Sequence, residues 1–151
     1  MAVTAGQGIP KRLGHLALRV RDIDRAVKFY SEMLGLTVRM QTRGPAFLGV
    51  REDSSHELAL FPLPADAPGP EPGRVGMYHM AWEMPSFEAL EQLHERLLAN
   101  GVQIAGYSDG QSNVMFLDPD GNEIEAIWEP APEELARLRA PGGPGLPKLP
   151  H

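Results

Sequence analysis

The sequence predicts an α+β chain in which two βαβββ modules pair into a curved mixed sheet around a cleft, with the helices outside. Three observations carry this reading. A strand, a helix and three further strands occur in that order twice along the chain. His15, Leu16, Ala17 and Leu18 line up with His79, Met80, Ala81 and Trp82 at the first strand of each module, as a duplicated unit would. The stretch FLDPDGNEIEAIW, 116–128, holds the strongest turn signal: Pro119 presets φ, Asp118 bonds back to the backbone, and Gly121 accepts a positive φ.

In chain order, residues 1–11 are rich in Gly and small residues and read as a loose arm. LGHLALRV, 13–20, alternates as a strand, with His15, Ala17 and Arg19 on its less apolar face. Asp22 caps a helix in which Ile23, Ala26, Val27, Tyr30, Met33 and Leu34 form one stripe, and Gly35 ends it. LTVRMQTRG, AFLGVRED and HELALFPL then read as three strands. PADAPGPEPGR, 64–74, is too rich in Pro and Gly for an element and joins module 12–63 to module 75–129. The second module opens with VGMYHMAWEM. Ser86 caps a helix with Phe87, Leu90, Leu93, Leu97 and Leu98 on one stripe, and VQIAGYS, QSNVMFL and EIEAIW supply three strands. On the last strand, period two sets Glu123, Glu125, Ile127 and Glu129 on one face and Ile124, Ala126 and Trp128 on the other. Residues 1–129 thus form one domain, and 130–151 a short helix and a flexible tail.

Composition narrows the function. A chain of 151 residues, 42% hydrophobic, buries one core of domain size. No apolar run approaches about 18 residues and MAVTAGQGIPKR has no signal-peptide core, so a cytoplasmic protein without membrane contact is expected. A formal charge of -6, with 14 scattered Lys and Arg, opposes nucleic acid as a partner. Cysteine is absent, so any metal must be held by His, Asp, Glu or water.

One histidine on a strand is ordinarily a hydrogen-bonded structural residue. Here His15 and His79 occupy equivalent places. If the modules pack as pseudo-symmetric halves, their non-apolar faces converge and bring His15, His79 and Glu125 together, making the cleft a metal cleft. Two imidazoles and a carboxylate on one side of an ion leave the other side open, as in non-haem Fe(II) oxygenases; Zn(II), Mn(II), Co(II) and Ni(II) accept the same ligands. His94 reads as a boundary residue of the second helix, and Trp82, Trp128 and the methionines as packing. No glycine-rich phosphate loop or serine-nucleophile motif is present.

GHLALRVRDIDRAVKFYSEMLGL, 14–36, the histidine of YHMAWEM and the turn DPDGNEIEA together resemble the vicinal oxygen chelate superfamily, also called the glyoxalase, bleomycin-resistance and extradiol dioxygenase superfamily, over about residues 12–129. The resemblance implies paired βαβββ units, a divalent ion with Glu125 as the usual last ligand, and a substrate that chelates it through two adjacent oxygens. It makes SSHELALF, 54–61, the discriminating stretch. Ring-cleaving members carry an acid–base histidine there, which His56 matches; glyoxalase I members carry a metal-binding Glu, for which Glu57 is the candidate. Strict alternation turns Glu57 inward, whereas a bulge or twist admits His56; the family pattern selects His56 as the catalytic residue. Ring-cleaving relatives also have a tyrosine where this chain has Met115, and a further histidine with no counterpart in AGYSDGQSN. Tyr107 and Asn113 are the residues placed to compensate. Tyr107, Asn113 and Met115 are therefore the expected substrate contacts, with Met40 and Phe47 as further lining.

The expected function is a ring-cleaving dioxygenase in which Fe(II), or Mn(II), on His15, His79 and Glu125 takes a catechol-like vicinal diol and O2, with His56 as acid and base. Two alternatives stand beside it. One is a glyoxalase- or epimerase-type lyase or isomerase with Zn(II), Ni(II) or Co(II); the other is a metal-free protein that binds an antibiotic or aromatic ligand. A homodimer is expected, because open sheet edges need cover.

Overall fold

The computed structural model describes residues 8–150, so the first seven residues of the expected arm, and His151, lie outside the described residues. The chain divides into two compact units, Met1–Ala67 and Pro68–His151, and the boundary falls within the Pro- and Gly-rich stretch 64–74. Among the described residues no helix is long and apolar enough to cross a membrane.

The first unit runs β1 (Leu16–Val20), α1 (Ile23–Leu34), β2 (Thr37–Gln41), β3 (Ala46–Gly49) and β4 (Leu58–Pro62). Its sheet has the order β1-β4-β3-β2, with β1 parallel to β4 and the other pairs antiparallel. Local chemistry sets the ends of α1. The Asp22 side chain accepts a hydrogen bond from the Arg25 amide at 3.0 Å, and Gly35 takes φ of 70°, a left-handed value that costs glycine nothing. The helix buries Ala26, Tyr30 and Met33, and the sheet buries Leu18, Val20, Leu48, Leu58 and Leu60. Each buried Leu contributes about 1.5–3 kcal/mol relative to exposure. The opposite face keeps Phe47, Ala59 and Phe61, by alternation along β3 and β4.

The second unit repeats the order with β5 (His79–Glu83), α2 (Phe87–Ala99), β6 (Ile104–Gly106), β7 (Ser112–Leu117) and β8 (Glu123–Trp128), followed by α3 (Pro132–Arg139). Sheet order is β5-β8-β7-β6, again with the first pair parallel. Ser86 Oγ accepts from the Ala89 amide at 3.1 Å and starts α2, which buries Leu90, Leu93, His94 and Leu97. Val114, Phe116, Ile124 and Ala126 are fully buried on the helix side of the sheet. The hairpin between β7 and β8 forms at the DPDGN turn. Asp118 Oδ1 accepts from the amides of Asp120 and Asn122 at 2.9 and 2.8 Å, and Gly121 has φ of 90°.

Two differences from the sequence reading have local causes. Both first strands are shorter than their apolar patterns, because pairing starts only at Leu16 and His79, where the parallel partner begins. The segment after α3, expected to be a flexible tail, instead lies against the second unit. Ser112 Oγ donates to the Pro147 carbonyl at 2.6 Å, the Gly145 amide donates to Leu138 O at 3.0 Å, and Leu149 is buried. Backbone hydrogen bonds and one buried leucine hold a stretch whose composition reads as unstructured.

Candidate functional site

In the second unit, the parallel pairing of β5 with β8 sets His79 beside Glu123 and Ala81 beside Glu125. His79 and Glu125 are thus diagonal neighbours, and alternation keeps them on the face away from α2. His79 Nε2 lies 3.2 Å from Glu125 Oε2, and His79 Nδ1 lies 3.8 Å from Glu123 Oε1. Glu125 is only 8% exposed, so its carboxylate requires polar partners. One is Asn113, whose Nδ2 donates to Glu125 Oε1.

Asn113 is itself buried and held on all sides. Its Oδ1 accepts from the Ser108 amide at 2.8 Å, and its Nδ2 also reaches Ser108 Oγ at 3.1 Å and Gln111 Oε1 at 3.4 Å. With two N–H bonds facing three acceptors, the amide is fully engaged in orienting Glu125. Met115 stands directly opposite Glu125 in the β7–β8 ladder and is half-buried. Tyr107 is placed otherwise: its hydroxyl pairs with His94 Nε2 at 2.8 Å, so it is joined to α2 rather than to the carboxylate. A cleft of about 420 Å³ opens along this unit between Glu83, Ile127, Trp128, Leu135, Arg139 and Leu146. Ile127 lies on the same face of β8 as Glu125, two residues on.

In the first unit, His15 is exposed one residue ahead of β1, and its ring lies 4.6 Å from the ring of His56. His56 also meets Phe47 edge-on at 5.0 Å, and its Nδ1 is 3.0 Å from Ser55 Oγ. Glu57 is turned to a different task. Its Oε2 accepts from the amides of Val50 and Arg51 at 2.9 and 3.4 Å, and its Oε1 lies 3.5 Å from Arg51 Nε. Burial pushes the Glu57 carboxyl up, but the Ser54 hydroxyl, those two amides and the Arg51 charge outweigh it and hold its pKa below the usual Glu value. Of the two neighbours, His56 faces His15 because β4 begins only at Leu58, so strand alternation does not extend back to it.

The turn that carries His56 is tied to the segment that carries His15. Arg51 Nε pairs with Asp53 Oδ1 at 3.0 Å, and Asp53 Oδ2 with Arg12 Nη1 at 3.2 Å. The Arg12 hydrogen bond above all, helped by Arg51, lowers the Asp53 pKa. Gly49 completes the arrangement, since a Cβ there would stand 2.6 Å from Glu57 Oε2.

Among the described residues, no group of three or more His, Asp or Glu side chains is already set at the spacing that would hold a metal ion. What the structure brings together is His15 with His56 in one unit, and His79 with Glu125 and Glu123 in the other. Glu123 is the acidic neighbour that the triad reading passed over. Its signal in the sequence was its place two residues before Glu125, on the same strand face.

The family model described as Glyoxalase/Bleomycin resistance protein/Dioxygenase superfamily matches residues 12–126. The catechol-2,3-dioxygenase of Bacillus subtilis (strain 168) is 31% identical over 114 residues, covering 75% of this chain and 40% of that one. This chain therefore spans about two-fifths of that relative's length. Glutathione transferase FosA of Serratia marcescens is 33% identical over 118 residues, 75% of this chain and 77% of that one. Among solved structures, a glyoxylase/bleomycin resistance protein/dioxygenase domain from Frankia sp. EAN1pec superposes with a TM-score of 0.67 at 22% identity, over 81% of this chain and 100% of that one.

Proposed function

Since this chain belongs to the glyoxalase/bleomycin resistance protein/dioxygenase superfamily, we propose that it is a metal-dependent oxygenase of the extradiol type, opening the ring of a catechol-like vicinal diol with O2. His15 of one unit and His79 and Glu125 of the other are the proposed ligands, from one chain or from two copies in a homodimer. The donor chemistry fits a divalent ion: in the second unit an imidazole nitrogen and a carboxylate oxygen already stand 3.2 Å apart, and a buried amide orients the carboxylate. When bound, Fe(II) or Mn(II) would supply Lewis acidity toward the diol oxygens and a route for electrons from diol to oxygen.

The protein's own part is proton handling and orientation. His56 takes a proton from a diol hydroxyl and later returns one, with Ser55 Oγ engaging Nδ1 so that Nε2 carries the exchanged proton. Phe47, edge-on to His56, offers an aromatic wall for a planar substrate. Asn113 keeps Glu125 aimed.

The observation that carries this reading is the division of labour on the discriminating stretch: the His56 ring lies against His15, while the Glu57 carboxylate is committed to the amides of Val50 and Arg51. A lyase or isomerase of the glyoxalase kind would need that carboxylate free. Anaerobic reconstitution with Fe(II), followed by oxygen-uptake measurements over a panel of catechols, tests the proposal. His56→Ala is expected to lose turnover and keep the metal; no oxygen uptake with any diol would overturn the oxygenase. The likeness to glutathione transferase FosA supports a second reading, a reaction without redox change, which would proceed without oxygen.

A further inference from the structure

His79 stands between two carboxylates. Its Nε2 is 3.2 Å from Glu125 Oε2, and its Nδ1 is 3.8 Å from Glu123 Oε1. Nδ1 and Glu123 Oε1 are both buried and both lack a hydrogen-bond partner. Such orphans are uncommon, because a polar atom removed from water ordinarily finds a partner. Here each is the nearest complement of the other. The spacing is fixed by the backbone, since His79 and Glu123 are direct partners in the parallel β5–β8 ladder. The Tyr78 ring lies 4.8 Å from the His79 ring, tilted by 55°.

We propose that Glu123 is a positioning residue for the metal centre: its carboxylate accepts the Nδ1–H of His79 and thereby presents Nε2, with its lone pair, beside Glu125. This rests on the metal-centre reading above and adds to it a residue that binds no metal itself. A neutral imidazole has one lone pair and one N–H. If Nε2 is to donate to an ion, Nδ1 must carry the proton, and a buried N–H needs an acceptor. A carboxylate there fixes the tautomer, orients the ring and makes Nε2 a stronger donor. Glu125 cannot serve, because it lies on the Nε2 side. Asn113 cannot either, because its amide is engaged by Ser108, Gln111 and Glu125.

The test uses the full chain stripped of metal and titrated with Zn(II) and with Co(II) against a chelating indicator. Glu123→Gln, which keeps shape and removes charge, is expected to weaken both metals by about 10–100-fold. Glu123→Asp, which keeps the charge at shorter reach, is expected to weaken them less. In the Zn(II)-loaded chain labelled with ¹⁵N-histidine, the His79 Nδ1–H resonance should be resolved and should be lost or shifted upfield in Glu123→Gln. If that variant fails to fold, Glu123→Asp carries the same nitrogen measurement, an intermediate shift being the supporting result. A Glu123→Gln chain that binds both metals as tightly as the parent, with His79 Nδ1–H unmoved, overturns the role of Glu123 and leaves the metal centre standing. A parent chain that takes up neither metal overturns both.

Discussion

Replacing Glu57 by Gln separates the two jobs that its stretch of sequence could perform. In the parent, one carboxylate serves two amides and lies 3.5 Å from Arg51 Nε, with its side chain 16% exposed. A hydrogen bond to a charged acceptor contributes about 1.5–3 kcal/mol and a neutral one about 0.5–1.5, so exchanging charge for an amide costs about 1–1.5 kcal/mol. Loss of the partly exposed Arg51 pair adds at most about 1 kcal/mol. Glu57→Gln is therefore expected to lose about 1–2.5 kcal/mol of stability at pH 7, measured by urea denaturation, while metal uptake is unchanged. The pH dependence has a fixed sign. The Glu57 pKa is lower folded than unfolded, so its contribution is fully present above the ordinary Glu value of 4.5 and is lost as pH falls through the folded value. The gap between parent and variant should close on acidification below about pH 4. Equal stabilities at pH 7 would refute the amide clamp; loss of metal in Glu57→Gln would refute its separation from the centre and favour the lyase reading.

Other outcomes follow from the same geometry. Gly49→Ala should destabilise by a similar amount and act non-additively with Glu57→Gln in a double-mutant cycle, because its methyl displaces the carboxylate both depend on. Asn113→Ala should weaken metal binding in calorimetric titration without abolishing it, whereas Glu125→Ala should abolish it, since the first loses the orienting donor and the second the ligand. Tyr107→Phe removes the bond to His94 and should cost about 1 kcal/mol by denaturation while leaving metal affinity unchanged; a change in affinity would place Tyr107 at the centre. Leu93→Ala, at a fully buried position of α2, should cost about 2–5 kcal/mol.

What the sequence disclosed was what depends on near neighbours. Asp22, Gly35 and Ser86 mark their helix ends, and the DPDGN turn declares itself, because each acts within a few residues. The duplicated order was legible because repetition multiplies weak local signals. The choice between His56 and Glu57 was not, since it turns on where β4 begins, and β4 begins where distant strands allow pairing. Polarity marked Tyr107 and Asn113 as candidates to line a site, but it does not name partners. The Tyr107 hydroxyl meets His94 thirteen residues back, and the Asn113 amide is absorbed by a loop and by Glu125. The segment 141–150 misled through composition, because its anchor is a backbone carbonyl, an atom every residue has.

The parallel ladder between β5 and β8 also acts as a ruler that counts in whole residues. Sliding β8 by one place would bring Ile124 and Ala126 to the positions of Glu123 and Glu125 and thrust two acids against the apolar side of α2. An insertion or deletion within 123–128 is therefore expected to exchange the two faces of the strand, whereas a single substitution there changes one displayed side chain and leaves the register in place. In such a chain, length is policed more strictly than composition.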